Sequence, residues 1–177
     1  NLAFLGYYSK NYLYPKKSLI HWPDGIFVKK VSNVNKIPGR DLIKNIKIPK
    51  NISTITVLGN ITNKSKDFLK KKFFCEINHI SLPYAPVNNF KKIKLKIRKN
   101  DLILITLPTP KQEMLAYALS RYNKHYKIIC IGGSISIASG EEKQVPKILQ
   151  NYEFIWRLKN DFFRRIIRLV ESLLFYI

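Results

Sequence analysis

The chain has 177 residues, 46% of them hydrophobic, and a formal net charge of +21 at pH 7. That is enough apolar chain for one domain with a sizeable core, and too much for a disordered basic tail. The charge points to an anionic partner (nucleic acid, a phosphate-bearing substrate or an anionic membrane surface) and says nothing about the fold.

In chain order, residues 1–51 are irregular: "HWPDGIFVKKV" gives a turn and a short strand, and "PGRDLIKNI" starts a helix after a Pro-Gly turn. The segment is expected to pack beside the sheet as a smaller lobe. "TITVLG" is a buried strand ending in glycine; "NKSKDFLKKKFF" is a helix with Asn63 as N-cap and Phe68, Leu69 and Phe73 on one face. "CEINHISL" is a strand, and "NNFKKIKLKIRKN" is read as a helix, although its apolar residues also alternate as in a strand. "DLILITL" is a continuous apolar run, as in a central parallel strand covered on both faces. "PKQEMLAYALSRY" is the clearest helix, and "KIICIGG" the next strand. This alternation predicts a three-layer, Rossmann-like α/β domain with a mostly parallel sheet. Cys75 and Cys130 fall in predicted strands without metal-ligand spacing, so they are expected to be buried, reduced thiols of a cytoplasmic protein. No signal-peptide pattern opens the chain and no run is long enough to span a bilayer. Asn1 stands where a methionine is usual, so further residues are expected upstream.

Three junctions at strand ends attract attention. In "LPTPKQE", Thr109 can cap the following helix, Pro110 fits its first position and Gln112 stands three residues after Thr109, which is the pattern of a capping box. Local structure therefore explains much of this stretch. The same stretch also begins a helix beyond a strand's carboxyl end, where ligands bind in open α/β sheets and free N–H groups favour phosphate. Thr109, Gln112 and Glu113 are candidate ligand contacts on that ground. Gly132 and Gly133 follow the next strand and allow a tight turn and close backbone approach, without the ending of a P-loop. Gly59 and Asn60 form the third junction. Together the three suggest a cleft for a nucleotide-bearing small molecule.

Asp24, in "WPDG", lies in a sequence common in turns; it is also a carboxylate able to take a proton from an attacking hydroxyl. The chain has no Asp-X-Asp pair, so a metal-bridged diphosphate lacks its usual carboxylates and no metal is expected. In residues 156–177, the pattern "DFFRRIIRLVESLLFYI" forms an amphipathic helix with Arg164, Arg165 and Arg168 mainly opposite its apolar face and Arg157 upstream. Such a helix either lies on an anionic membrane or docks on the sheet with its arginines in water. Arginine also grips a diphosphate with paired hydrogen bonds. The division expected is a core at 1–155 and a basic membrane-contacting tail at 156–177.

Taken as an ordered series, "PDG", "IPGRDL", "TVLG", "DLILITLPTPKQE", "IGGSISIASGEEKQVPKILQ" and "YEFIWRLKNDFFRRIIR" resemble the WecG/TagA/CpsF family of bacterial glycosyltransferases. The resemblance runs from about Pro23 to Arg168. It departs at Ile135 and Ser136, where the family usually has phenylalanine and aspartate, and at Gln144 and Val145, where it has arginine and alanine. The resemblance implies transfer of a sugar, commonly N-acetylmannosamine, from a UDP donor to a polyprenyl-diphosphate-linked saccharide. Inversion at the anomeric centre, no metal, and no cofactor beyond the UDP-sugar substrate belong to the same expectation. It also implies a peripheral location at the cytoplasmic face of the membrane, in teichoic acid, capsule or other surface polysaccharide synthesis. Asp24 becomes the implied base, Gln112 and Glu113 line the nucleotide-sugar pocket, and the C-terminal arginines engage lipid diphosphate and membrane. Two other readings follow from charge and divergence. One is a basic nucleic-acid-binding α/β protein, although no RNP-like, helix-turn-helix or zinc pattern is present. The other is a noncatalytic, membrane-associated relative.

Overall fold

The structure, a computed structural model, describes residues 20, 22–24, 34–82, 97, 101–143, 146, 162, 163, 166, 167 and 170. Its elements are α1 (Gly39–Asn45), β1 (Thr54–Leu58), α2 (Asn63–Phe73), β2 (Glu76–Ile80), β3 (Leu102–Ile105), α3 (Lys111–Tyr122), β4 (Lys127–Cys130) and α4 (Ser134–Ala138). The four strands form one sheet in the order β2-β1-β3-β4, and every neighbouring pair is parallel.

The apolar run "DLILITL", expected as a central strand, gives β3, and the buried strand expected in "TITVLG" is β1 beside it at the centre of the sheet. β1 and β3 are buried at every position, as strands covered on both faces must be. Their side chains alternate between two cores. Ile55, Val57, Leu102 and Leu104 face one side, with Ile43 of α1, Leu69 of α2, and Ile135 and Ala138 of α4. Leu58, Ile103 and Ile105 face the other, with Leu115 of α3 and the partly buried Met114 and Leu119. The result is helix, sheet, helix. The step from β1 to β2 moves one way along the sheet and the step from β3 to β4 the other. Right-handed crossovers then require α2 and α3 to lie on opposite faces, and they do. The reversal between β1 and β3 is where open sheets of this kind hold ligands, beyond the carboxyl ends of the strands.

The N-terminal stretch joins the first of these cores: Ile43 and Ile52 are buried in it, and Trp22 and Ile48 pack against it. The cap of α2 is Thr62, whose hydroxyl accepts from Ser65 N at 3.3 Å, not Asn63, which lies inside the first turn. A side-chain cap must reach a donor two or three residues ahead, and Thr62 is the residue so spaced from Ser65. Cys75 stands just before β2 and Cys130 ends β4; both are free and half-buried. Burial pushes both thiols up, and at Cys130 the charge of Glu113 adds to it.

The helix expected around residues 88–100 lies outside the described residues apart from Ile97, which packs on the α3 side. In the tail, Phe162, Phe163, Ile166, Ile167 and Val170 are helical and exposed. Arg157, Arg164, Arg165 and Arg168 lie outside the described residues. Among the described residues no helix is long and apolar enough to cross a membrane.

Candidate active site

All three strand-end junctions open at the carboxyl edge of the sheet. β1 ends at Gly59, whose φ of +122° is open to glycine and closed to almost every other residue. The position is also tight, because a Cβ there would strike Thr106 Oγ1. Thr106 in turn bonds the tip of β1, donating from its N to Leu58 O at 3.0 Å and from its hydroxyl to the same oxygen at 3.3 Å. On the other flank His79 Nε2 lies 2.7 Å from Gly59 O. A carbonyl only accepts, so that ring nitrogen carries the hydrogen. Asn60 Oδ1 accepts from Ser81 Oγ at 2.6 Å. The β1 tip is thus pinned by both neighbouring strands.

The β3–α3 junction is built differently from the capping box its sequence suggests. Helix α3 begins at Lys111, Pro110 is its N-cap with φ −90° and ψ 3°, and no side chain caps it. The donor Thr109 was expected to satisfy, Gln112 N, already bonds Pro108 O at 3.3 Å, and Met114 N bonds Pro110 O at 3.0 Å. The Thr109 hydroxyl is therefore left for side chains: it donates to Glu113 Oε1 at 3.2 Å and accepts from Gln112 Nε2 at 3.1 Å. The Thr109–Pro110 peptide bond is cis. The free N–H groups that would welcome a phosphate at this helix start are largely consumed by the protein's own oxygens, the Glu113 carboxylate among them, which accepts from its own backbone N–H.

Gln112 is 8% exposed and spends its amide inside the protein. Its Nε2 donates to Thr109 and to Glu113 Oε1, the latter at 2.8 Å, and its Oε1 accepts from Gly132 N at 2.9 Å. One side chain therefore staples the β3–α3 loop to the β4–α4 loop. Glu113 beside it is pushed above the ordinary carboxylate value by burial, which outweighs the hydrogen bonds from Gln112, its own backbone and Thr109. Its second oxygen, Oε2, is buried and has no hydrogen-bond partner among the described residues.

Beyond β4, Gly132 takes φ +51° and Gly133 becomes the N-cap of α4 with φ −78°. The two glycines differ in what they require: Gly132 needs the left-handed region, whereas Gly133 has ordinary backbone. A Cβ at Gly133 would meet nothing within 4 Å among the described residues. The stretch "SISIA" after them forms helix α4, half-buried to buried throughout.

The acidic turn reaches this same place. Asp24 N bonds Trp22 O at 2.9 Å and Pro23 O accepts from Ile37 N at 2.7 Å, so the turn is tied to the stretch before α1 while Trp22 rests on the core. The exposed Asp24 carboxylate faces Gly39, the buried first residue of α1: a Cβ built on Gly39 would lie 3.4 Å from Asp24 Oδ2 and would collide with Ser134 Oγ. Ser134 directly follows Gly133. Asp24, the glycine pair and Gln112 therefore lie at one end of the molecule, linked through Ser134 and Gly132. Gly59 and Asn60 occupy the same edge of the sheet at the tip of β1. The arrangement offers an accessible carboxylate, two backbone turns without side chains and a buried carboxyl group, which suits proton abstraction beside a bound polar molecule. Among the described residues no three His, Cys, Asp or Glu side chains gather to hold a metal.

Gly39, Ser134, Thr106 and His79 were not singled out in the sequence. Gly39 reads as part of a Pro-Gly turn and Ser134 carries no sequence signal; only the tertiary contact between α1 and α4 reveals them. For His79 no sequence signal exists, because a histidine in a strand does not announce a carbonyl partner twenty residues away.

The family model of the WecG/TagA/CpsF glycosyl transferases matches residues 16–177. No curated protein matches the chain. The family match takes in nearly the whole chain, and the chain belongs to that family.

Proposed function

We propose that this glycosyltransferase moves a hexose, N-acetylmannosamine or a close relative, from a UDP-sugar to a polyprenyl-diphosphate-linked saccharide, with inversion and without a metal. Asp24 takes the proton of the acceptor hydroxyl. The acceptor oxygen bonds the anomeric carbon as the bond to UDP breaks, and UDP leaves with that electron pair. The observation that carries this reading is the exposed Asp24 carboxylate set beside Ser134, one residue from the glycine pair at the carboxyl edge of the sheet. The nucleotide lies across Gly59, Asn60, Gly132 and Gly133, and Glu113 meets a sugar or nucleotide hydroxyl. Gln112 contributes by holding Gly132 and Glu113, since its own polar atoms are engaged within the protein.

The start of α3 is a poor place for the diphosphate, because its donors are taken and Glu113 stands there. The leaving-group charge falls instead to arginines of the tail, Arg157, Arg164, Arg165 and Arg168. The exposed apolar series Phe162, Phe163, Ile166, Ile167 and Val170 supports a tail that lies on an anionic, lipid-bearing membrane surface, where the acceptor resides. On this reading the enzyme works peripherally at the cytoplasmic face, in surface polysaccharide synthesis.

The test is a donor screen against a polyprenyl-diphosphate sugar acceptor, reading released UDP and linked product. Asp24→Asn is expected to lower turnover by about a hundred- to ten-thousandfold, the range for a general base, with UDP binding retained. Full turnover in this variant refutes Asp24 as the base.

A further inference from the structure

A sugar nucleotide has a reacting end and a nucleoside end. The reacting carbon must lie beside the base, so the hexose belongs near Asp24, which borders Gly39 together with Ser134, just after the β4 turn. The order β2-β1-β3-β4 puts the tip of β2 three strand spacings from that of β4, a span of about 14 Å. An extended sugar nucleotide covers such a span, and its nucleoside end then reaches the tips of β1 and β2. In parallel sheets that bind nucleotides at the turn after the first strand, a residue about twenty positions on, at the tip of the second strand, accepts a hydrogen bond from the ribose. Here that position is held by His79, twenty residues after Gly59 and near the end of β2.

The polarity of this imidazole is set by the protein. Nε2 donates to Gly59 O at 2.7 Å, so in the neutral ring Nδ1 carries a lone pair and accepts. For a hydroxyl, such a nitrogen serves as the usual carboxylate does. Ile77, two residues earlier, packs in the core with Ile43 of α1 and Ile135 of α4. The two-residue period of a strand puts His79 on that same face of the sheet. At the next position along β1, the exposed Asn60 accepts from the exposed Ser81 at 2.6 Å through Oδ1, which leaves its amide N–H groups as donors. One acceptor and one donor are therefore anchored on a single turn, the complement of two neighbouring hydroxyls.

We propose that His79 is a specificity-determining residue for the nucleoside of the donor: Nδ1 accepts from a ribose hydroxyl, Asn60 Nδ2 donates to the neighbouring one, and the donor lies with uridine over β1 and β2 and the hexose toward Asp24. The imidazole that pins the glycine turn also selects a ribonucleotide. This rests on the reading of the chain as a UDP-sugar transferase.

The experiment measures binding of UDP, 2′-deoxy-UDP and 3′-deoxy-UDP by calorimetry to the wild-type chain, H79Q, H79K and H79F, with thermal melts to identify folded variants. No turnover is needed, so the identity of the base does not enter. The wild type should bind UDP roughly fivefold more tightly than at least one of the deoxy compounds, the worth of one hydrogen bond. Glutamine offers both a donor for Gly59 O and an acceptor for the ribose, so H79Q should keep that preference. Lysine offers only the donor and phenylalanine neither, so H79K and H79F should bind all three ligands alike. H79K keeps a group able to hold the turn and carries the comparison if H79F does not fold. A histidine that only pins Gly59 predicts the opposite pattern: H79F weakens the three ligands by one common factor and the preference survives, which overturns the proposal. A wild type that binds UDP and both deoxy compounds equally overturns it too. A wild type that binds no UDP at all removes the UDP-sugar reading itself, and His79's role with it.

Discussion

Gln112 Oε1 accepts the Gly132 N–H at 2.9 Å, and this bond joins the turn after β3 to the turn after β4. Without it Gly132 N retains only the 3.3 Å contact to Ile105 O. The same amide supplies Glu113 Oε1 with a donor at 2.8 Å. Gln112→Ala thus strips a buried N–H of its better partner and a buried carboxylate of a donor at once. It should destabilise the fold by about 1–3 kcal/mol, the cost of leaving buried polar groups unsatisfied. Urea unfolding measures this as a lower midpoint at unchanged slope. Donor KM should rise as well, because the glycine turn is freed; an unchanged midpoint would show that the staple is dispensable.

Glu113 predicts a pH effect with a definite sign. Its folded pKa lies above the ordinary 4.5 because burial penalises the charged form. Well below the ordinary value both states are protonated and Glu113 costs nothing. As pH rises between the ordinary and the folded value, the unfolded chain releases the proton first and stability falls; above the folded value the loss is complete. Glu113→Gln keeps an acceptor for Thr109 and Gln112 and cannot ionise. The stability of the variant relative to the wild type should therefore grow as pH increases from 4.5 and then level off. Thermal melts of both proteins across that range check it, and a constant difference would mean that Glu113 titrates in the folded protein as in water.

These two residues also mark what the sequence reveals and what it hides. β1 and β3 are legible because a strand covered on both faces is built mainly of apolar and β-branched residues, as "TITVL" and "LILI" are. Helix α3 is legible from its spacing, and a parallel sheet then brings Gly59, Thr109 and Gly132 to one edge with no further information. Thr109 is misread as a cap because the competitor for Gln112 N is the carbonyl of Pro108, a backbone group that no side-chain pattern encodes. Helix α4 is hidden because "SISIA" is rich in β-branched isoleucine and serine, which favour strands and loops; burial of Ile135, Ile137 and Ala138 overrides that preference. Asp24 and Ser134 both border Gly39 through tertiary structure, and nothing local foretells it.

Glu141 gives a smaller, structural prediction. Its Oε2 accepts from Thr62 Oγ1 at 2.7 Å and Ser65 Oγ at 2.8 Å, so the turn after α4 is fastened to the first turn of α2. A carboxylate there also suits the positive end of the helix. Thr62 still caps Ser65 N without it, and Ser65 Oγ keeps Ser139 Oγ at 3.2 Å. Glu141→Ala should therefore cost only about 1 kcal/mol, whereas Thr62→Ala, which loses both the cap and the Glu141 contact, should cost about 1–2 kcal/mol. Equal midpoints in urea for these two variants would contradict the assignment of Thr62 as the cap.

The three site glycines separate conformational need from ligand need. Gly59→Ala combines a φ of +122° with a collision on Thr106 Oγ1; strain of this kind costs roughly 1–3 kcal/mol for backbone alone. Adding Thr106→Ala removes the collision and not the φ, so stability should return only in part. Gly132→Ala meets no atom closer than 3.8 Å but must hold φ +51°, a cost of about 1–2 kcal/mol. Gly133→Ala faces neither obstacle, having φ −78° and open space among the described residues. Its melting temperature should match the wild type or exceed it slightly. If the space above Gly133 is where the nucleotide sugar approaches, the added methyl should raise donor KM severalfold while the fold is untouched. Stability by thermal melt and KM by initial rates make the comparison. Gly133→Ala with wild-type KM would move the donor away from this turn.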